Sequence, residues 1–256
     1  MSAITNKTFS EIFRDFFHLD NNNSGITSTA KTVKDGSGNS TAISISDREL
    51  KLSPADDSTS TFKVLDKDDN IIFVVDTNND IVKAGNSQQI VTTSYQQFIG
   101  KDLDLTSSYH VAIPLSIQPN AKVEFGTGAN PTISPTTIAA SADDYLLHYW
   151  YIDSNTYIDQ IDLWVSGIAV ASDTIRFHLI SCAVDTTSTA TGGDLSDITI
   201  HASGSDINSS GHAQMYYQAI TPSTSLVAGG RVIFLTIKAD SDNTDYSVNA
   251  RIKYHL

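Results

Sequence analysis

Gln160-Ile161-Asp162-Leu163-Trp164-Val165 alternates at every step, so Ile161, Leu163 and Val165 share one face and Gln160, Asp162 and Trp164 share the other. Period-two alternation is the mark of a strand with one buried face and one wet face. The pattern recurs around this stretch. Ile175, Phe177 and Leu179 oppose Arg176, His178 and Ile180, and Ile233, Leu235 and Ile237 follow. Near the end, Val248, Ala250, Ile252 and Tyr254 oppose Asn249, Arg251, Lys253 and His255. Many such strands with no second helical period imply an antiparallel β-sandwich, jelly-roll-like in type. The expected fold class is therefore mainly β.

Two faces do not fit a lone sandwich. Trp164 falls on the polar side of its strand. In Tyr145 to Ile152 both faces are apolar or aromatic, with Leu146, His148, Trp150 and Ile152 opposing Tyr145, Leu147, Tyr149 and Tyr151. Cover by neighbouring loops is one explanation, and a sugar-stacking platform is another. A subunit interface fits best, because aromatic groups concentrate in interface cores, so Trp150 and Trp164 are assigned there. The polar stretches Asp185 to Asp197 and Ala202 to His212 read as loops, with Thr191-Gly192-Gly193-Asp194 as a turn. Loops at the end of a sandwich carry recognition, which makes Asp194, His201 and His212 candidate ligand residues.

Upstream, Tyr109 to Ile117 reads as an edge strand because Pro114 cannot donate to a ladder. A linker follows from Gly126 to Thr137, where Pro131 and Pro135 bias their neighbours away from helix. Gly25 to Ser60 is rich in Ser, Thr, Gly and Asp, with brief runs such as Thr41 to Ile45 and Glu49 to Leu52 that have little to bury alone. A weak repeat comes next. Phe62-Lys63-Val64-Leu65-Asp66 precedes the turn 67–70, and Phe73-Val74-Val75-Asp76 precedes the turn 77–80. Each unit is a short aromatic-led strand ended by Asp and an Asx-rich reversal. Asp66, Asp68 and Asn70 have the first spacings of an EF-hand loop. The glycine required next is Ile71, however, and the bidentate Glu is Thr77, so a turn is the better reading.

At the front, Phe9, Ile12, Phe13 and Phe16 recur at helical spacing, and Thr8 with Glu11 fits a capping box. His18 suits the negative end of that helix and the Asp20 to Asn23 run ends it. So short a helix must pack on something. Either it lies on its own sheet, or Phe9, Ile12, Phe13, Phe16 and Phe17 form an anchor for another protein. The expected division is an anchoring helix over 1–24, a short-strand shaft over 25–100 and a tip domain over 101–256.

The chain has 256 residues, of which 40% are hydrophobic and 18% charged, so it can bury a core. A formal net charge of −13 repels phosphate, which argues against nucleic acid and anionic lipid as partners. Cys182 is the single cysteine, which precludes a disulfide within the chain and reads as an inert core residue. The opening MSAITNKTFSEIF lacks the basic and apolar regions of a secretion signal, and no stretch has the length of a membrane span. The seven histidines are scattered, with no HExxH and no close ligand spacing. Gly126-Thr127-Gly128 and Gly36-Ser37-Gly38 fail as dinucleotide loops at Pro131 and Thr41. No GxSxG elbow occurs, and Asp143-Asp144 reads as a solvated turn. The expectation is no catalytic residue, no metal and no cofactor.

The run FKVLDKDDNIIFVVDTNNDIVKAG (62–85), the opening TFSEIFRDFFHLDNNNSG (8–25), and the later TGGDLSD (191–197) and YSVNARIKYHL (246–256) resemble fibre-type virion proteins of tailed marine bacteriophages. The resemblance implies a homotrimer whose short strands wrap together in a shaft, with Phe62 and Phe73 at the subunit interface. It further implies a fibre on the virion surface, made in the host cytoplasm, and the shortness of the shaft favours a head fibre or capsid decoration over a long tail fibre. Its partners would be sister chains, a major capsid or tail protein, and a host cell-surface glycan, with no insertion into membrane. The alternatives are a tail-fibre adhesin that grips glycans and a fibre-borne polysaccharide depolymerase.

Overall fold

Asx-rich reversals and period-two strands make up the regular structure of the described residues. A computed structural model describes residues 17–22, 24–116, 122–133, 147–167, 171–187, 193–210, 212–241 and 244–256. Among these residues there is no helix, and the strand ladders are antiparallel. Phe9, Ile12, Phe13 and Phe16 of the expected helix lie outside the described residues. Phe17 is exposed, and His18, read as a helix terminus, instead opens a strand. The chain divides into two compact units after Val91.

The N-terminal unit holds two four-stranded meanders. The first comprises β1 (His18–Leu19), β2 (Lys31–Lys34), β3 (Ser40–Ile45) and β4 (Leu50–Leu52). The second comprises β5 (Phe62–Leu65), β6 (Ile71–Asp76), β7 (Ile81–Ala84) and β8 (Gln89–Ile90). One device closes a reversal in each. The Asp35 carboxylate accepts from the backbone N–H of Ser37 (2.9 Å) and Asn39 (2.8 Å), and from the Asn39 side chain (2.8 Å). Asp66 does the same with Asp68 N–H (2.8 Å), Asn70 N–H (2.9 Å) and the Asn70 side chain (2.9 Å). Hydrogen bonds to the charged form, the Asn side chain first, hold both carboxyls below the usual range. The Asp66 oxygens are thus engaged by the turn itself. The sequence repeat corresponds to β5 and β6 with the turns that follow them, so its units pair as neighbours in one meander.

The C-terminal unit contains β9 (Ser94–Leu105), β10 (His110–Ala112), β11 (Glu124–Phe125), β12 (Trp150–Ile152), β13 (Thr156–Gly167) and β14 (Ala171–Val184). It continues with β15 (Leu195–Ser203), β16 (Ile207–Ser210), β17 (Met215–Ile220), β18 (Leu226–Val227), β19 (Arg231–Ala239) and β20 (Thr244–His255). One sheet runs β17-β13-β20-β9, with β18 also on β13. The other runs β11-β10-β19-β14-β15, with β12 on β19 and β16 on β14. Phe98, Ile161, Leu163 and Val165 of the first sheet share one core with Phe177, Leu179, Leu235 and Ile237 of the second. The 100/101 boundary expected from sequence falls inside β9, because that strand pairs along β20 and belongs to this unit.

A second apolar cluster explains why β14 and β19 are buried on both faces. Ala112, Val123, Phe125, Ile180, Cys182, Val232 and Phe234 form it, and Tyr149, Ile133 and Leu195 pack onto it. The two-faced segment before Ile152 is therefore covered by its own chain at Tyr149, whose ring meets Phe234 at 6.1 Å. Its strand is only β12, since Leu147 and His148 lie in a turn. The strand expected from Tyr109 to Ile117 is likewise shorter, and the stretch Ala202 to His212 holds β16 rather than being all loop.

Candidate functional site

The outer face of the β17-β13-β20-β9 sheet carries the side chains that alternation leaves out of the core. Ile161, Leu163 and Val165 point inward and are fully buried, so Gln160, Asp162 and Trp164 point outward. Register then fixes the neighbours of Trp164 as Tyr217 on β17 and Asn249 on β20. The indole and the Tyr217 ring lie 5.3 Å apart at 41°. Met215, opposite Ser166, is 67% exposed and Tyr217 is 57% exposed.

Asp162 organises the middle of this face. Its carboxylate accepts from Tyr217 OH (2.9 Å), Arg251 Nη2 (2.9 Å) and the Gln160 amide. Burial works to raise this carboxyl, but the hydrogen bonds from Arg251, Gln160 and Tyr217 outweigh it and hold the group below its ordinary value. The Asp162 bond in turn pushes the Tyr217 phenol up. On its other side the Arg251 guanidinium lies over Tyr95, 5.0 Å from the ring centre.

Beside Trp164 the β9–β20 ladder slips, with Tyr246 opposite Leu103 but Val248 opposite Gly100. Such a bulge re-aims side chains. Here Asp102 takes a positive φ of 50°, and its N–H donates to Ser247 Oγ at 3.1 Å. The result is an open hollow of about 250 Å³ with Ile99, Gly100, Trp164, Val165, Met215 and Val248 as apolar lining and Lys101, Ser166, Ser247 and Asn249 as polar lining. A second hollow of about 440 Å³, lined by Asp102, Ser166, Gly167, Asp245 and Ser247, shares Ser166 and Ser247 with the first. Gly167 is obligatory at its edge, since a Cβ there would lie 2.2 Å from the Tyr246 ring.

The other residues singled out from sequence are dispersed. Trp150, half-buried, packs against its own core with its ring 4.6 Å from Tyr254. Phe62 and Phe73 meet edge to face at 6.2 Å in the second meander, with Phe62 still 38% exposed. Asp194 and His212 are exposed. His201, expected in a ligand loop, is buried in β15, where it accepts from Ser181 Oγ (2.8 Å) and donates through Nδ1 to the Thr224 carbonyl (2.9 Å). This Ser–His pair has the distance of a catalytic dyad. Both side chains are sealed from solvent, however, and Ser181 Oγ also accepts from Arg231 Nε (2.9 Å), so the contacts serve to tie β14, β15 and β19 together. Cys182 is fully buried, and burial pushes its thiol up to about 12. No group of three or more His, Cys, Asp or Glu among the described residues could hold a metal ion.

Sequence reasoning found Trp164 but missed Tyr217, Met215, Asp162, Arg251 and Tyr95. The Met215-Tyr216-Tyr217 run opens β17. Its signal was Tyr216, which alternation turns inward onto the core while its two neighbours face out.

A comparison with protein-family models finds no match, and a comparison with curated proteins finds none either. Among solved structures the chain is similar to a CocE/NonD family hydrolase from Staphylococcus aureus, with 10% identity and a TM-score of 0.33. The match covers 68% of this chain and 39% of the hydrolase chain.

Proposed function

We propose that this chain is a non-enzymatic virion structural protein of a tailed bacteriophage, a homotrimeric head fibre or capsid decoration exposed on the particle surface. The observation that carries the reading is the surface of the N-terminal unit. Val74 is the one fully buried hydrophobic residue among that unit's described residues. Ile26, Leu50, Leu52, Phe62, Val64, Leu65 and Ile72 are all exposed, Leu50 by 68%. Short meanders with an uncovered apolar face are not stable alone, and identical chains supply the missing cover. Removing a side chain of this size from water is worth about 1.5–3 kcal/mol. The resemblance noted in the sequence supports the same assembly. Phe9, Ile12, Phe13, Phe16 and Phe17 would anchor it to a capsid or tail protein, and three linked copies would raise a weak contact to a durable one.

The C-terminal unit is read as a jelly-roll-like tip. Its chain passes back and forth between the two sheets, and its first and last strands, β9 and β20, pair side by side, which supports that topology. Solution mass tests the proposal. Light scattering is expected to give three times 27.7 kDa, falling to one chain in L50K/F62K. A stable, folded wild-type monomer would refute it. A second reading, a tail-fibre adhesin for cell-surface glycans, is favoured by one observation, the aromatic depression at Trp164.

A further inference from the structure

We propose that the depression beside Trp164 binds a neutral saccharide. This inference rests on the adhesin reading and does not need the trimer, since its test measures binding apart from mass. A sugar ring presents an apolar face of C–H groups and a rim of hydroxyls. Its site therefore needs an aromatic plane with hydrogen-bonding groups around it. Trp164, in the lining, supplies the plane, and Tyr217 flanks it 5.3 Å away on the adjacent strand at 41°. Ser166, Ser247 and Asn249 supply the rim. Gln97 donates to Asn249 Oδ1 at 2.9 Å, which leaves the Asn249 amide NH₂ to donate to a ligand.

The platform is preformed, so little ordering is left for binding to bring about. Asp162 holds Tyr217 through its hydroxyl at 2.9 Å, and the Asp102–Ser247 bond at 3.1 Å fixes the bulge that opens the hollow. The hollow beside Trp164, about 250 Å³, has room for a sugar unit, and the second hollow shares Ser166 and Ser247 with it. Charge selects within the class. Lys101 at the rim is paired with Asp102 at 3.5 Å, Asp245 lines the second hollow, and the chain carries −13 overall, so acidic glycans are repelled. The same charged rim disfavours a second protein copy here, because interface cores are depleted of charge.

The test titrates the full chain with maltotriose, cellotriose, mannotriose and N-acetylchitotriose, following calorimetry and tryptophan fluorescence, with a heparin tetrasaccharide as the acidic comparison. At least one neutral trisaccharide is expected to bind. Its affinity should fall at least tenfold in W164A and in M215K, stay within a few-fold in W164F, and exceed that for heparin, with solution mass unchanged throughout. Met215 is largely exposed, so M215K obstructs the hollow without touching the core. Silence from all four neutral sugars would overturn the proposal. So would binding untouched by W164A and M215K, or a loss of oligomeric mass in W164A, which would make Trp164 an interface residue.

Discussion

Acidification between pH 6.5 and 4 is expected to weaken the C-terminal unit through His110. This side chain is completely buried on β10. Its Nε2–H donates to the Gly128 carbonyl at 3.1 Å, while its Nδ1 is buried without a partner. The His178 ring stands edge-on at 5.0 Å, and the Lys238 ammonium donates to the carbonyls of Thr127 (3.0 Å) and Gly128 (3.1 Å). Burial lowers the pKa of His110 from 6.5 to about 4; the Gly128 carbonyl opposes this, and His178, Lys238 and Arg176 reinforce it. The folded state thus keeps the imidazole neutral where the unfolded chain protonates it. Stability from this group is fully present above pH 6.5, is lost as the pH falls toward 4, and changes no further below that. At about 1.36 kcal/mol per pH unit the whole shift is worth about 3 kcal/mol, and about 2.5 kcal/mol is lost by pH 4.5. His178 and His201 are also lowered, chiefly by burial, and act in the same direction.

Urea unfolding followed by tryptophan fluorescence measures this directly, because the two tryptophans, Trp150 and Trp164, both belong to the C-terminal unit. Protein concentration is held constant, so that assembly does not move the baseline. His110→Gln keeps a donor toward Gly128 but cannot titrate. Between pH 7 and 4.5 the wild type should lose about 2 kcal/mol more than this variant. Equal losses in the two proteins, or a wild type that gains stability in acid, would refute the reasoning.

Two smaller predictions follow from packing. Gly167→Ala brings a Cβ within 2.2 Å of the Tyr246 ring, whose hydroxyl is held by Asp173 at 2.8 Å, and should cost about 1–3 kcal/mol in the same urea assay. Cys182 should stay unreactive toward a disulfide reagent at pH 8 in the folded protein and react at once in urea, as its burial and raised pKa require.

Local chemistry alone determined a large share of this protein. The alternation of Ile161 to Val165 and of Val248 to Tyr254 dictated strands with a defined inner face, and the Asp-plus-Asn spacing of 66–70 dictated a turn. Both properties reside in neighbouring residues, so no distant partner is needed to read them. Trp164 was legible as an anomaly for the same reason. Its meaning was not, because the groups that surround it come from β9, β17 and β20, far away in the chain. Tertiary structure alone decided that Trp150 would meet Tyr254 and that His201 would be sealed beside Ser181. It also brought Asp162 and Arg251 together across a ladder. Side-chain direction is a local consequence of the backbone, whereas neighbourhood depends on strand order and register, which arise only when the sheets pair.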